Sequence, residues 1–296
     1  MSFTNPPVSF VQQYGQNVYM LAQQMESRLR NMVVTETVTG EVAFFEQYDT
    51  TAMEAVNSRL SDTPLRDTNF ARRRVSLTDF VNAQATDMFD RVRTLIDPLN
   101  PIVKAQAAAA GRQIDSLITA AFFADALTGK TGSTTVSFPA SQQVAVSSWA
   151  HGTGSGNAGL TISKLIEAKR ILDANEVESD GRCLVLGARQ LADLLGTTEA
   201  TSADYNTVKA LVYGEIDTFM GFKFVRTELL PVDGSSYRRV CAFQKNSMGL
   251  GIGKDITAKI SELPAKNYAV QAYVAMTMGA TRLQEKGVVE IKCIES

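Results

Sequence analysis

Residues Ile102–Gly129 read IVKAQAAAAGRQIDSLITAAFFADALTG. Alanine is the strongest helix former, and Ile114, Leu117, Ile118, Ala121 and Phe122 recur at spacings that place them on one helical face. Pro98 and Pro101 precede the stretch, while Gly129 and Gly132 close it, as helix starts and stops require. A helix from Ile102 to Thr128 would span roughly 40 Å at ~1.5 Å per residue. A rod of that length is about as wide as a small domain, so it is expected to be the spine of the fold.

Upstream, Val33 to Tyr48 is rich in β-branched and aromatic residues, VVTETVT then EVAFFEQY, punctuated by Gly40. After the polar stretch SDTPLRDT comes a second extended run, RRRVSLTDFVNA, in which Val75, Leu77, Val81 and Ala83 alternate mostly with polar residues. Two strands around a polar, Pro-containing stretch read as a long hairpin. It carries little apolar surface beyond Phe44 and Phe45, and an isolated hairpin is marginal in water, so it should lie on something else. Arg72, Arg73 and Arg74 form the densest positive cluster. Strand alternation puts Arg72 and Arg74 on one face and Arg73 on the other. The cluster reads as a solvated edge that blocks edge-to-edge pairing, as a DNA contact, or as a salt bridge to an acidic partner. Glu46, Asp49, Asp62 and Asp67 lie in the same region, which favours a protein contact over DNA.

At the start of the chain, Pro6-Pro7 precedes Val11, Tyr14, Val18, Leu21, Met25, Leu29 and Met32, spaced by three and four. This amphipathic helix is either a core element or an arm lying on another subunit, since few charges guard its other face. Downstream, Thr131 to Ser163 contains no Asp, Glu, Lys or Arg and reads as loop, with weak β-stretches near Thr134–Phe138 and Gln143–Ser147 and Trp149 as its anchor. An α/β-like block follows. A helix capped by Thr161 leads to the strand CLVLG, the short helix ARQLADLLG, the helical piece TVKALVYG and the strand GFKFVRTELLP. The tail is strand-rich. After the turn DGSS come YRRVCAFQ, then a run with Tyr268, Val270, Ala272, Val274, Met276, Met278 and Ala280 all on even positions, then GVVEIKC.

Composition narrows the function. With 45% hydrophobic and 20% charged residues the chain can bury a core and is not disordered. A net charge of −2 argues against a whole-chain nucleic-acid binder. The one histidine, His151, excludes histidine-rich metal sites. Cys183, Cys241 and Cys293 form no C-x-x-C pair, so they read as packing residues in a reducing compartment. No apolar run approaches the ~20 residues that span a bilayer, and no cationic start marks a secretory leader. G-S-G-N-A-G at Gly154–Gly159 is a literal dinucleotide-binding pattern, but its preceding strand is short and polar and the next one, CLVLG, lacks the acidic ribose ligand. Gly129-Lys130-Thr131 ends a helix where a phosphate loop would start one, and no G-x-S-x-G elbow surrounds any serine. No catalytic, cofactor-binding or metal-ligating residue is expected.

An amphipathic arm, a long hairpin and a spine helix in that order resemble the major capsid proteins of tailed bacteriophages, the Hong Kong 97-like α+β fold. GEVAFFEQ and SDTPLRDTNFARRRVSLTDF resemble that family's extended loop. LIDPLNPIVKAQAAAAGRQIDSLITAAFF resembles its spine helix, and CLVLGARQLADLL, GFKFVRTELLP and GATRLQEKGVVEIKC resemble its axial and closing strands. The resemblance implies an N-terminal arm at residues 1–32, an extended β-hairpin loop at 33–84 and a peripheral domain at 85–159 with the spine helix at about 102–128. It further implies an axial domain at 160–236 and shared closing strands at 237–296. It implies self-assembly into pentamers and hexamers of an icosahedral shell around double-stranded DNA, held without sequence-specific binding. Assembly would occur in the host cytoplasm, with a portal and no membrane or cofactor. Because the chain enters the arm almost at once, a separate scaffolding protein is also expected. Phe44, Phe45, Arg72, Arg73, Arg74, Val11, Tyr14, Val18 and Leu21 are the expected inter-subunit contacts. A cellular encapsulin-type nanocompartment shell and a nucleotide-dependent α/β enzyme using Gly154–Gly159 are the alternatives.

Overall fold

The computed structural model describes residues 23–56, 58–60, 62–63, 65–86, 99–151, 154–196 and 218–295. Val11, Tyr14, Val18 and Leu21 of the expected arm, and the TVKALVYG stretch, lie outside them. In chain order the strands and helices are β1 (Val34–Thr37), β2 (Val42–Tyr48), β3 (Phe70–Ser76), β4 (Thr78–Thr86), α1 (Leu99–Phe123), β5 (Ala126–Thr128), β6 (Thr134–Val136), β7 (Gln143–Val144), α2 (Ile162–Ala174), β8 (Arg182–Leu186), α3 (Ala188–Gly196), β9 (Thr218–Phe219), β10 (Phe222–Arg226), β11 (Tyr237–Gln244), β12 (Met248–Leu263), β13 (Ala269–Arg282) and β14 (Val288–Ile294).

Among the described residues the strands form three sheets. The largest runs β7-β14-β11-β8-β10-β9, with β8 and β10 parallel and β11 antiparallel to both β8 and β14. CLVLG is its buried centre, as its unbroken apolar run requires: Leu184, Val185 and Leu186 are fully buried. The second sheet, β1-β12-β13-β4, is crossed by α1. The even-position alternation read in the tail is the inner face of β13, where Ala272, Val274, Met276 and Met278 are buried. On α1, Ile114, Ile118 and Phe122 are buried, and the Phe122 ring meets that of Phe243 on β11 at 5.1 Å. One apolar core thus joins the helix to both sheets.

The spine helix ends earlier than the sequence suggests, at Phe123 instead of near Thr128. Arg282 is the reason. Its Nη1 donates to the carbonyl oxygens of Phe122 (3.0 Å) and Ala124 (2.8 Å), satisfying carbonyls that a helix end leaves free. Ala126–Thr128 then becomes β5 and pairs with β3 through Arg73↔Thr128 and Arg74↔Leu127.

The hairpin is also shorter than expected. β2 and β3 pair from Val42↔Ser76 to Tyr48↔Phe70 and continue into the third sheet, β2-β3-β5-β6. β1 and β4, read as parts of the hairpin, belong to the second sheet instead, β1 parallel to β12 and β4 antiparallel to β13. The root of the hairpin lies across β12 and β13 where Gly251 pairs with Gly279. A Cβ on Gly279 would stand 2.1 Å from the Ser76 carbonyl oxygen, so the two backbones can meet only over glycine. This approach lets Val38, Phe45, Val75 and Leu283 close into a small buried cluster of their own.

Candidate inter-subunit surface

Beyond its paired strands the hairpin carries a long connection, residues 49–69, without strand or helix among its described residues. Its apolar side chains have no core. Met53, Leu60 and Leu65 are 103%, 93% and 93% exposed, and Tyr48, Val56 and Phe70 are also exposed. Tyr48 and Phe70 form the neck, their rings edge to face with centroids 4.8 Å apart. Arg66 reaches Glu54 across the loop at 3.0 Å. Burying one such side chain is worth ~1.5–3 kcal/mol, and clustered exposed apolar residues mark interaction surfaces. The chemistry available here is association.

The structure divides the residues expected at this surface. Phe45 is buried in the small cluster at the hairpin root, and Arg73 is buried beside it. Arg73 Nε donates to the Leu283 carbonyl at 3.0 Å and its Nη2 to Glu285 Oε2 at 2.7 Å. Both were expected at inter-subunit contacts; here both hold the hairpin to its own subunit, because the glycine crossing brings β13's end within reach. A Phe45→Asp change therefore strikes the folded subunit itself. The alternation across the arginines does hold. Arg72 turns outward, paired with Glu46 at 2.9 Å and lying 5.2 Å over the half-buried Phe44 ring. Arg74 is half-buried, its stem against Gly132. The loop residues Met53, Val56, Leu60 and Leu65 were not singled out from the sequence. The available signal was large apolar side chains in a stretch whose periodicity asks for none.

The other motifs are absorbed by packing. In G-S-G-N-A-G, a Cβ on Gly159 would stand 2.2 Å from Asp193 Oδ2, and Trp149 Nε1 donates to the Gly156 carbonyl at 2.9 Å. The glycines thus accommodate Trp149 and α3, and Thr161 caps α2. Burial pushes the Cys183 thiol up to about 11 and the Cys293 thiol up to about 12, and holds Cys241 well above its usual value, so none is a nucleophile at neutral pH. His151 Nε2 lies 2.9 Å from Glu167 Oε2. Glu167 is lowered to about 2, first by hydrogen bonds from Arg170 and then by that from His151. No cluster of three metal-ligating side chains occurs among the described residues, and no helix there is long and apolar enough to cross a membrane.

The profile of the phage capsid protein family matches residues 7–295. No curated protein matches the sequence. Among solved structures, the capsid of Ralstonia phage GP4 superposes with a TM-score of 0.73 at 10% identity, covering 100% of this chain and 98% of that one. The capsid of cyanophage Pam1 gives 0.69 at 15% identity over 99% and 98%. That of cyanophage P-SCSP1u gives 0.69 at 12% identity over 97% and 94%. At such identities the likeness is one of fold, the α+β, Hong Kong 97-like architecture.

Proposed function

The chain belongs to the phage capsid protein family, and from that premise we propose that its copies close, through pentamers and hexamers, an icosahedral shell around the double-stranded DNA of a tailed phage. It is a major capsid protein, a structural component of the virion that assembles with copies of itself. The observation that carries the finer reading is the loop at 49–69, whose apolar residues are exposed on a hairpin anchored at its root. In this reading the connection at 49–69 is the part of the extended loop that lies on a neighbouring subunit, and the chain ahead of Gln23 is an arm reaching another, while Gln23–Leu29 hold to α1 of their own subunit. Residues 85–159 form the peripheral domain, 160–236 the axial domain at the capsomer centre, and 237–296 the strands closing both. Phe44, Arg72 and Arg74 remain proposed contacts at the loop's outward side. A separate scaffolding protein guides assembly in the host cytoplasm, a portal occupies one vertex, and the shell lining, on a chain of net charge −2, does not condense DNA by charge.

Electron microscopy and sedimentation of the purified protein test this. Wild-type protein should form closed particles, and Leu60→Asp with Leu65→Asp should leave soluble, folded subunits that do not. Particles of normal yield from the double variant overturn the loop's role. Wild-type particles isolated from cells carrying their own enzyme cargo in place of phage DNA overturn the genome-shell reading in favour of a nanocompartment.

A further inference from the structure

A groove of about 180 Å³, open to solvent, runs between α1 and strands β4 and β13 of the second sheet. Phe80 and Asn82 of β4 and Met276 of β13 form one wall, Ala109 and Gln113 of α1 the other, and none of the described lining residues is charged. Gln106 lies in its floor, 2% exposed. Its Nε2 donates to the Ala272 carbonyl at 3.1 Å, while its Oε1 has no partner among the described residues. A buried acceptor left in that condition is costly, so the groove asks for an apolar body that carries one hydrogen-bond donor.

We propose that this groove receives the N-terminal segment of a second copy, residues 8–21, with the Tyr14 hydroxyl donating to Gln106 Oε1. The inference rests on the shell reading above and specifies where the arm binds. No charged residue precedes Glu26, so an uncharged segment meets an uncharged groove without stranding an ion. Val11, Tyr14, Val18 and Leu21 recur at spacings of three and four, an apolar stripe in which tyrosine supplies the donor.

The copy that supplies the segment follows from where the chain leaves the described part. Arg112 Nη1 donates to Gln23 Oε1 at 2.7 Å and to the Gln24 carbonyl at 3.1 Å. The Asp115 carboxylate accepts from Ser27 Oγ at 2.6 Å and from the backbone N–H of Arg28 and Leu29. At ~100° per residue, Asp115 lies roughly 170° around α1 from the mean direction of positions 106, 109, 110 and 113. Leu21 is two residues from Gln23 and within ~7 Å of it even in a fully extended chain, whereas a helix with its side chains is ~10–12 Å across. Leu21 therefore cannot lie in its own subunit's groove, and a stripe that docks as one run from Val11 to Leu21 docks on a neighbour.

Mixed particles test this. Subunits carrying Tyr14→Cys are co-assembled with subunits carrying Asn82→Cys and mildly oxidised. The three native thiols are buried and stay silent. The expected result is a reducible dimer band at least tenfold stronger than in particles pairing Tyr14→Cys with Tyr268→Cys, a position exposed away from the groove. Val18→Cys, one turn along the stripe, replaces Tyr14→Cys if the latter impairs assembly. Ala109→Trp, which fills the groove, should leave a folded subunit and reduce the dimer band. Intact mixed particles without the dimer, or a disulfide formed only within doubly substituted single chains, overturn this inference and leave the shell reading standing. Wild-type protein that forms no particles overturns both.

Discussion

The six-stranded sheet and the β2–β3 hairpin use the same residue types to opposite ends. In the sheet, Val240, Cys241, Phe243, Val288 and Ile291 are fully buried. Even its inward charge is answered in place: Glu290 is buried against Arg239, whose guanidinium stacks 4.3 Å over Phe123. In the hairpin only the inner side is so treated, by Phe45, Val75 and Arg73, while the loop beyond holds Met53, Leu60 and Leu65 in solvent. Subunit stability and assembly therefore reside in different stretches of one chain, and substitutions should separate them.

The widest separation is between Phe122 and Leu65. Phe122→Ala removes a fully buried ring and should cost the subunit ~3–5 kcal/mol, whereas Leu65→Ser should stay within ~0.5 kcal/mol yet reduce particle yield. Urea denaturation of unassembled subunits, followed by circular dichroism, measures both; equal losses would end the distinction. Adjacent arginines give a finer version. Arg73→Ala leaves Glu285 without its partner at 2.7 Å and should cost ~3 kcal/mol. Arg72→Ala removes an exposed pair worth ~0–1 kcal/mol, and its effect should appear in assembly, softening as salt rises.

Next is the crossing itself. Gly279→Ala must displace the Ser76 carbonyl and should cost ~1–3 kcal/mol, with faster amide exchange along β2 and β3 but not along β11 and β14. Unchanged exchange in the hairpin would show that the crossing does not hold it. The smallest effect is set by pH. Glu167 is lowered to about 2, so its contribution is complete above the ordinary carboxylate range and is lost as pH falls from there towards about 2. The pair is on the surface and solvent-screened, so the change should be local. Fluorescence of Trp149, the protein's one tryptophan, should shift over that window, and Glu167→Gln should abolish the shift.

The same contrast explains what the sequence made legible. Val270 to Ala280 alternate because one face of β13 meets α1, and CLVLG is uniformly apolar because both faces of β8 are covered. These are local patterns with local causes. β12 left no such trace. Gly249, Gly251 and Gly253 break its β-pattern, and the reason lies some two hundred residues earlier in the chain, in the hairpin that crosses it. The end of α1 was hidden for a similar reason: TAAFFADALTG continues to look helical, and only Arg282, distant in sequence, stops it. Phe45 and Arg73 stand among the expected inter-subunit contacts, but a single strand does not tell whether a partner belongs to its own chain or to another.

The position of Asp115 has a mechanical consequence. Gln24, Ser27, Arg28 and Leu29 all bond to that one carboxylate, about two thirds of the way along a 25-residue helix. Tension applied to the chain ahead of Gln24 enters α1 between its ends, as on a beam loaded along its span. A load there is transmitted sideways into the sheets that the helix rests on, and the hydrogen bonds of its terminal turns are spared.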